Sequence, residues 1–168
     1  AVPLLLAGKV NYKDQALFSL SSLPFSIKLL WAPIVDSTRF GRYGKRKSWL
    51  IPTQFAIGCI MLISQGYLNQ WMDTPDMPKL TILFFILYLL CATQDVAVDG
   101  WALTMLSPQN VGWGPTCNTL GQSLGYALSY VGFVALSDVV SLASFVGVCG
   151  CAFLLTTVAL LFKREDDT

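Results

Sequence analysis

The 168-residue chain is 54% hydrophobic and only 12% charged, and its mean hydropathy is +0.58. About a quarter of the residues in soluble domains are charged, so a soluble domain of this size would lack the charge to cover its surface. The net charge of +1 gives no reason to expect nucleic acid as a partner, and the lack of histidine removes the commonest metal ligand and general base. We therefore expect an integral membrane protein in a lipid bilayer, with no metal and no cofactor.

The chain opens at Ala1 with a short apolar piece, residues 1–7, and without the basic region that begins a signal peptide. This piece is too short to cross a bilayer. We interpret it as the tail of a preceding helix, in a chain cut from a longer protein.

Polar loops divide the remaining sequence into five apolar segments. The second has 21 residues, which as a helix would measure about 31 Å and match a hydrocarbon core of ~30 Å. Pro24 and Pro33 interrupt the first, which membrane helices tolerate at the cost of kinks. The sequence predicts an all-α membrane protein in which residues 1–168 form one bundle of five transmembrane helices plus the end of another. The predicted spans are 15–35, 48–68, 80–106, 111–136 and 139–162.

Lysine and arginine are unequally divided between the two sides of this predicted membrane topology, seven against three. The richer side comprises loops 36–47, 107–110 and 163–168, and the poorer side comprises loops 8–14, 69–79 and 137–138. Positive residues favour the cytoplasmic side. The charged loop, residues 36–47, is therefore predicted to be cytoplasmic. The bias in lysine and arginine agrees with the alternation of loops between the two sides of the membrane, which supports the five spans.

Two aspartates, Asp95 and Asp99, lie inside the third predicted span. Charged groups are costly inside a bilayer and usually face a bundle interior or an aqueous cavity. Four residues apart on a helix, the two lie about 40° apart on one face, and Gln94 and Trp101 share the adjacent face. Two close carboxylates in a low dielectric suit proton binding. The alternatives are that they line a solute cavity, or that neighbouring helices or Lys28 satisfy them without any transport role.

Lys28 lies inside the first predicted span, at about the same depth as Asp99, roughly 10–12 Å from the cytoplasmic end. Three interpretations stay open. Lys28 pairs with an aspartate, receives an anionic solute, or extends its stem to the cytoplasmic surface.

The fourth predicted span has a polar stripe of residues spaced by four, Asn118, Gln122 and Tyr126. Such a stripe either forms hydrogen bonds between helices or lines a cavity. A neighbouring stripe of small residues is typical of close helix packing. It consists of Gly121, Gly125, Ser129 and Gly132.

The charged loop combines Asp36 with a basic run that contains Arg42, Gly44, Lys45 and Arg46. Charge alone supports only an anchor to anionic lipid headgroups. The position of the loop between two spans, with an acid at one helix end, also suggests a cytoplasmic gating latch.

This loop resembles the motif between the second and third helices of the major facilitator superfamily, with Ala32 in place of the motif's glycine and five extra residues after Asp36. More specific similarities to the acetyl-coenzyme A transporter family lie in 28–36, 46–50, 92–106 and 116–122. Bacterial muropeptide permeases share a related Trp-Ala-Pro-x-x-Asp and Thr-Gln-Asp-x-Ala-x-Asp pattern. A permease for another solute, such as muropeptides, is therefore the alternative.

The resemblance implies helices two to six of a twelve-helix transporter of the endoplasmic reticulum membrane that moves acetyl-coenzyme A into the lumen by alternating access. The rest of the transporter would then supply the other half of the cavity. The residues expected to bind solute or to couple transport are Lys28, Thr93, Gln94, Asp95, Asp99, Trp101, Asn118, Gln122 and Tyr126. Asp36, Arg42, Gly44, Lys45 and Arg46 would form the gating loop.

Two other classes of function are alternatives to a transporter. An enzyme is not expected, because the chain has no histidine and no serine or cysteine beside a plausible base. The five cysteines lie in apolar runs and are interpreted as small buried residues. The other class is a structural membrane protein whose intramembrane charges only pair helices.

Overall fold

The structure, a computed structural model, describes residues 11–38, 46–73, 76–137 and 140–162. These residues are helical almost throughout, with no strand among them, which confirms the predicted all-α class. The α-helices are α1 (Tyr12–Ser19), α2 (Leu23–Ile27), α3 (Ala32–Ser37), α4 (Lys47–Asp73), α5 (Met77–Met105), α6 (Gly114–Leu136) and α7 (Leu142–Phe162). Single 3-10 turns lie at Leu20–Ser22, Lys28–Leu30 and Val111–Trp113.

Three of these helices, α4, α5 and α7, are long and apolar enough to cross a membrane. They correspond to the second, third and fifth predicted spans. Their spanning segments have 25, 29 and 21 residues, or about 31 to 44 Å at ~1.5 Å per residue. By length and composition, these three helices are therefore candidate membrane spans.

The first predicted span, 15–35, is not one continuous helix but three short helices joined by 3-10 turns. Pro24 and Pro33 are each the second residue of a short helix. A proline donates no backbone hydrogen bond, and its ring crowds the carbonyl four residues before it. Those carbonyls belong to Leu20 and Leu29, which both lie in the 3-10 turns. The two prolines thus explain where the helix breaks.

The segment formed by α1 to α3 nevertheless runs alongside α5 and parallel to it. The rings of Phe18 and Phe84 meet edge to face at 5.4 Å between centroids, and further along both segments Lys28 meets Asp95. Contacts that advance together along two segments mean that the segments are parallel.

The fourth predicted span is a helix, α6, but it is not among the three that are apolar enough to cross a membrane by composition alone. No neighbour packs closely on the stripe of small residues of α6, because a Cβ on Gly121, Gly125 or Gly132 would meet no atom within 4 Å. The predicted close packing of this stripe is therefore not met within the described helices.

Close packing occurs instead between α4 and α7. A Cβ on Gly150 would lie 3.2 Å from the carbonyl oxygen of Gly58, and a Cβ on Gly58 would overlap the side chain of Leu154. The side-chain amide of Gln54 also donates to the hydroxyl of Thr156 at 2.6 Å. Small residues that let backbones approach are a usual basis of helix association in membranes.

Two apolar clusters hold the ends of the antiparallel helices α4 and α5. The first consists of Phe18, Leu68, Met77, Leu80 and Ala143, and the second of Val35, Leu50, Val96, Ala97 and Trp101. The first lies where α4 ends and α5 begins, and the second where α4 begins and α5 ends. The polar residues described below lie along α5 close to the second cluster.

The start of α5 is capped by Asp76, whose side chain accepts a hydrogen bond from the backbone N–H of Lys79 at 3.4 Å. Pro78, at the second helical position, suits this helix start. The Lys79 ammonium lies 2.6 Å from the Asp76 carboxylate. The hydrogen bond from the Lys79 side chain holds the pKa of the Asp76 carboxyl below its usual range.

Candidate functional site

Lys28 and Asp95 form an ion pair between the broken first segment and α5. The Nζ of Lys28 lies 2.5 Å from Oδ2 of Asp95, and their side chains are 28% and 15% exposed. The ring of Phe25 packs edge to face on Tyr88, at 5.8 Å between centroids, and fixes α2 against α5 nearby. Of the three interpretations of Lys28, the structure shows the pairing with an aspartate.

The polar stripe of α6 faces the two aspartates of α5. The side-chain amide of Gln122 donates to Oδ1 of Asp95 at 3.0 Å and lies 3.4 Å from the side-chain oxygen of Asn118. Asn118 in turn donates to the carboxylate of Asp99. Five side chains thus form one hydrogen-bonded series, which we call the polar chain: Lys28, Asp95, Gln122, Asn118 and Asp99.

The two carboxylates of the polar chain have different environments. Asp95 accepts from a cation on one oxygen and from an amide on the other. Asp99 accepts from the neutral amide of Asn118. If both carboxylates are ionised, Lys28 compensates one of the two charges, and the polar chain as a whole has a net charge of −1.

Two adjoining cavities, of about 330 and 390 Å³, open beside Asp99. Asp99, Ala102, Gly114 and Asn118 line both of them. The larger continues along apolar side chains that include Trp101 and Trp113. The Asp99 end of the polar chain is therefore accessible from the junction between the end of α5 and the start of α6.

Four predicted site residues have no hydrogen bond to the polar chain among the described residues. The hydroxyl of Thr93 donates to its own helix, at the carbonyl of Leu89, 2.8 Å away. The buried side-chain oxygen of Gln94 has no hydrogen-bond partner in the described part of the chain. Trp101 is 8% exposed and packs in the second apolar cluster, and Tyr126 is 73% exposed.

The charged loop is described only at its two ends, and Arg42, Gly44 and Lys45 lie outside the described residues. At those ends, Arg46 donates to the carboxylate of Asp36 and forms an ion pair with it. This pair joins the end of α3 to the start of α4.

Comparisons with known proteins identify relatives of the chain. The family model described as acetyl-coenzyme A transporter 1 matches residues 1–168. The chain belongs to this family.

The relatives of this acetyl-coenzyme A transporter family member include uncharacterised yeast proteins and a bacterial permease. It is 32% identical to an uncharacterised membrane protein of Saccharomyces cerevisiae, over 98% of this chain and 36% of the relative. It is 36% identical to an uncharacterised protein of Schizosaccharomyces pombe, over 77% of this chain and 25% of the relative. It is 27% identical to the anhydromuropeptide permease of Escherichia coli, over 71% of this chain and 24% of the relative. No solved structure matches the chain.

The chain spans about a quarter to a third of the length of these relatives, 24% to 36%. The family, the permease relative and the three apolar helices together make it part of a membrane transporter.

Sequence reasoning missed one residue of this family member. Gly100 follows Asp99 on α5, and the guanidinium of Arg46 lies directly over it. The available signal was a glycine within a helix, a position where glycine is less stable than alanine and usually has a packing or functional reason.

Proposed function

We propose that this chain forms part of the N-terminal half of a twelve-helix transporter that moves acetyl-coenzyme A across the endoplasmic reticulum membrane by alternating access. The observation that carries the proposal is the polar chain, which places a lysine, two carboxylates and two amides within a membrane protein. Ionisable residues inside a membrane bundle usually mark a solute or proton pathway. The description of the matching family, acetyl-coenzyme A transporter 1, supports acetyl-coenzyme A as the solute.

In this proposal five segments cross the membrane. The broken segment formed by α1 to α3 crosses as one interrupted span, and α6 crosses as the fourth. The parallel course of the first segment and α5 supports this topology, because alternating spans place the first and third in the same direction. Half-helices at membrane depth are frequent in transporters where they line a cavity.

Lys28 is proposed to bind an anionic group of the solute. Coenzyme A carries phosphate groups, and a phosphate competes with Asp95 for the ammonium. Asp95 would keep the hydrogen bond from Gln122 when Lys28 leaves it. The cost of separating the pair is therefore lower than for a carboxylate without a second partner.

Asp99 is proposed to be the proton-coupling carboxyl. Lys28 forms an ion pair with Asp95 and balances one of the two negative charges. A proton on Asp99 would make the polar chain neutral. The two cavities beside Asp99 support this role, since a proton would reach the carboxyl through them.

The charged loop is proposed to act as a cytoplasmic latch. The Arg46–Asp36 pair supports this role, with Arg42, Gly44 and Lys45 expected to contribute to the same loop. Gln94, Thr93, Trp101 and Tyr126 are kept as candidate cavity residues in the complete protein.

The experiment that tests the proposal uses the purified full-length protein in liposomes. Uptake of radiolabelled acetyl-coenzyme A is measured with and without an imposed pH gradient, against empty liposomes. We expect uptake that saturates and that an excess of unlabelled acetyl-coenzyme A suppresses. Uptake no faster than in empty liposomes would refute the proposed solute.

A second candidate solute is a muropeptide, because the permease of Escherichia coli is 27% identical over 71% of this chain. Competition by excess anhydromuropeptide in the same assay distinguishes the two. Inhibition by the muropeptide together with no specific uptake of acetyl-coenzyme A would favour this alternative.

A further inference from the structure

The glycine that follows Asp99 on α5 is covered by an arginine from outside that helix. A Cβ on Gly100 would overlap the central carbon and both terminal nitrogens of the Arg46 guanidinium. Gly100 is buried, and the Arg46 side chain is only 17% exposed. The guanidinium therefore occupies the space that a side chain at position 100 would need.

The same guanidinium donates to the carboxylate of Asp36. One side chain thus joins three elements: Arg46 precedes α4, Asp36 is near the end of α3, and Gly100 is in α5. Val35, which precedes Asp36, and Trp101, which follows Gly100, belong to the second apolar cluster and are 1% and 8% exposed. Arg46 is therefore placed at the well-packed end of the α3, α4 and α5 group.

We propose that Gly100 is a positioning residue, whose missing side chain admits the Arg46 guanidinium against α5 and so keeps it on Asp36. The proposal rests on the proposed transport function only for its effect on flux. Asp99 and Gly100 are adjacent, so a movement of α5 that changes the contacts of Asp99 also changes the space available to Arg46. Gly100 would thereby connect the polar chain to the latch.

Alanine at position 100 is expected to displace Arg46 without unfolding the protein. The atoms that it would overlap are the far end of a flexible side chain. Alanine also suits a helix better than glycine does. Gly58 differs, because there the neighbours include the backbone oxygen of Gly150.

The first test is a thermal-stability cycle on the full-length protein, which requires no solute. We expect Asp36→Asn to lower the Tm when residue 100 is glycine, and to have a much smaller effect in the Gly100→Ala background, where the pair is already broken. Coupled residues show this non-additivity. An equal effect of Asp36→Asn in both backgrounds would overturn the proposal.

The second test compares arginine and lysine at position 46. An ammonium lacks the planar guanidinium that lies over Gly100, and it fits beside a small side chain on a flexible stem. When residue 100 is glycine, we therefore expect arginine at position 46 to give a higher Tm and flux than lysine. In the Gly100→Ala background, we expect lysine at position 46 to give a Tm and flux equal to or higher than those of arginine. A role of Gly100 in backbone packing alone predicts no such reversal, so the same order in both backgrounds would contradict the proposal.

Gly66→Ala is the matched control, since Gly66 is also inside a helix but a Cβ there would meet nothing within 4 Å. Its flux should equal that of the wild type, whereas Gly100→Ala should lower flux severalfold. If the wild type fails to transport acetyl-coenzyme A, the proposed function fails while the stability cycle still reports on Gly100. Wild-type flux in Gly100→Ala with a working transporter would refute the positioning role.

Discussion

At the scale of single residues, the Lys28–Asp95 pair decides how the polar chain is balanced. Breaking a buried pair leaves one uncompensated charge, which costs more than the pair itself contributes. The side chains here are 28% and 15% exposed, so the cost lies between those of surface and fully buried pairs.

Lys28→Met should therefore lower the free energy of unfolding by about 1 to 3 kcal/mol. Adding Asp95→Asn should recover most of that loss, because the uncompensated carboxylate is removed. Thermal unfolding of the two single variants and the double variant in detergent measures this. Additive losses in the double variant would show that the two residues do not depend on each other.

The Asp76 cap predicts a dependence of stability on pH. The folded-state pKa of Asp76 is lowered, first by its side-chain hydrogen bond to Lys79. Its contribution is thus fully present above the unfolded-state pKa of about 3.9 and is lost as pH falls through the lower folded-state pKa. Asp76→Ala should lower the Tm at neutral pH, and the difference from the wild type should shrink on acidification. A difference that stays constant down to the lowest pH at which the wild type folds would contradict the cap.

The four residues of the polar chain on α5 and α6 were predicted from spacing, because residues four apart share a helix face, and Lys28 was singled out as a charge inside an apolar segment. Their partners could not be predicted. Which carboxylate meets Lys28 depends on how each helix is rotated and on what packs beside it. Asp99 was predicted to lie at the same depth in the membrane as Lys28, yet in the structure Lys28 pairs with Asp95.

At the scale of helices, the sequence predicted α4, α5 and α7 to within a few residues, because long apolar runs bounded by polar loops are unambiguous. The break of the first segment was expected only as kinking at Pro24 and Pro33. How far a helix breaks at a proline depends on which neighbours satisfy the freed carbonyls, and a single sequence does not contain that information.

The close contact of α4 with α7 gives a prediction at this scale. Gly58→Ala should destabilise the protein by about 1 to 3 kcal/mol, the usual cost of an overpacked core, because the new methyl group would meet Leu154 and the Gly150 backbone. Gly66→Ala on the same helix is the control and should not destabilise. Equal Tm values for the two variants would show that α4 and α7 are further apart than the structure places them.

At the scale of the whole molecule, the proposed topology places the two ends of α4 on opposite sides of the membrane. Ser37 lies in the charged loop that precedes α4, and Asp73 is the last residue of α4. Single cysteines introduced at these two positions should react with a membrane-impermeant maleimide from opposite sides, with position 37 cytoplasmic. The labelling is measured in sealed vesicles of known orientation, in a background without the native cysteines. Labelling of both positions from one side would overturn the topology.

We propose that the aspartates of the polar chain act in transport and do not merely pair helices. The test is uptake of acetyl-coenzyme A by the full-length protein with Asp95→Asn or Asp99→Asn, and the control is Asp73→Asn, because Asp73 is an exposed acid. Asparagine keeps the shape and the acceptor oxygen, so Asp99→Asn should insert and melt like the wild type but transport poorly. For Asp95→Asn, Lys28→Met should restore stability without restoring flux, while Asp73→Asn should transport normally. Wild-type uptake by both the Asp95→Asn and Asp99→Asn variants would show that transport requires neither carboxylate.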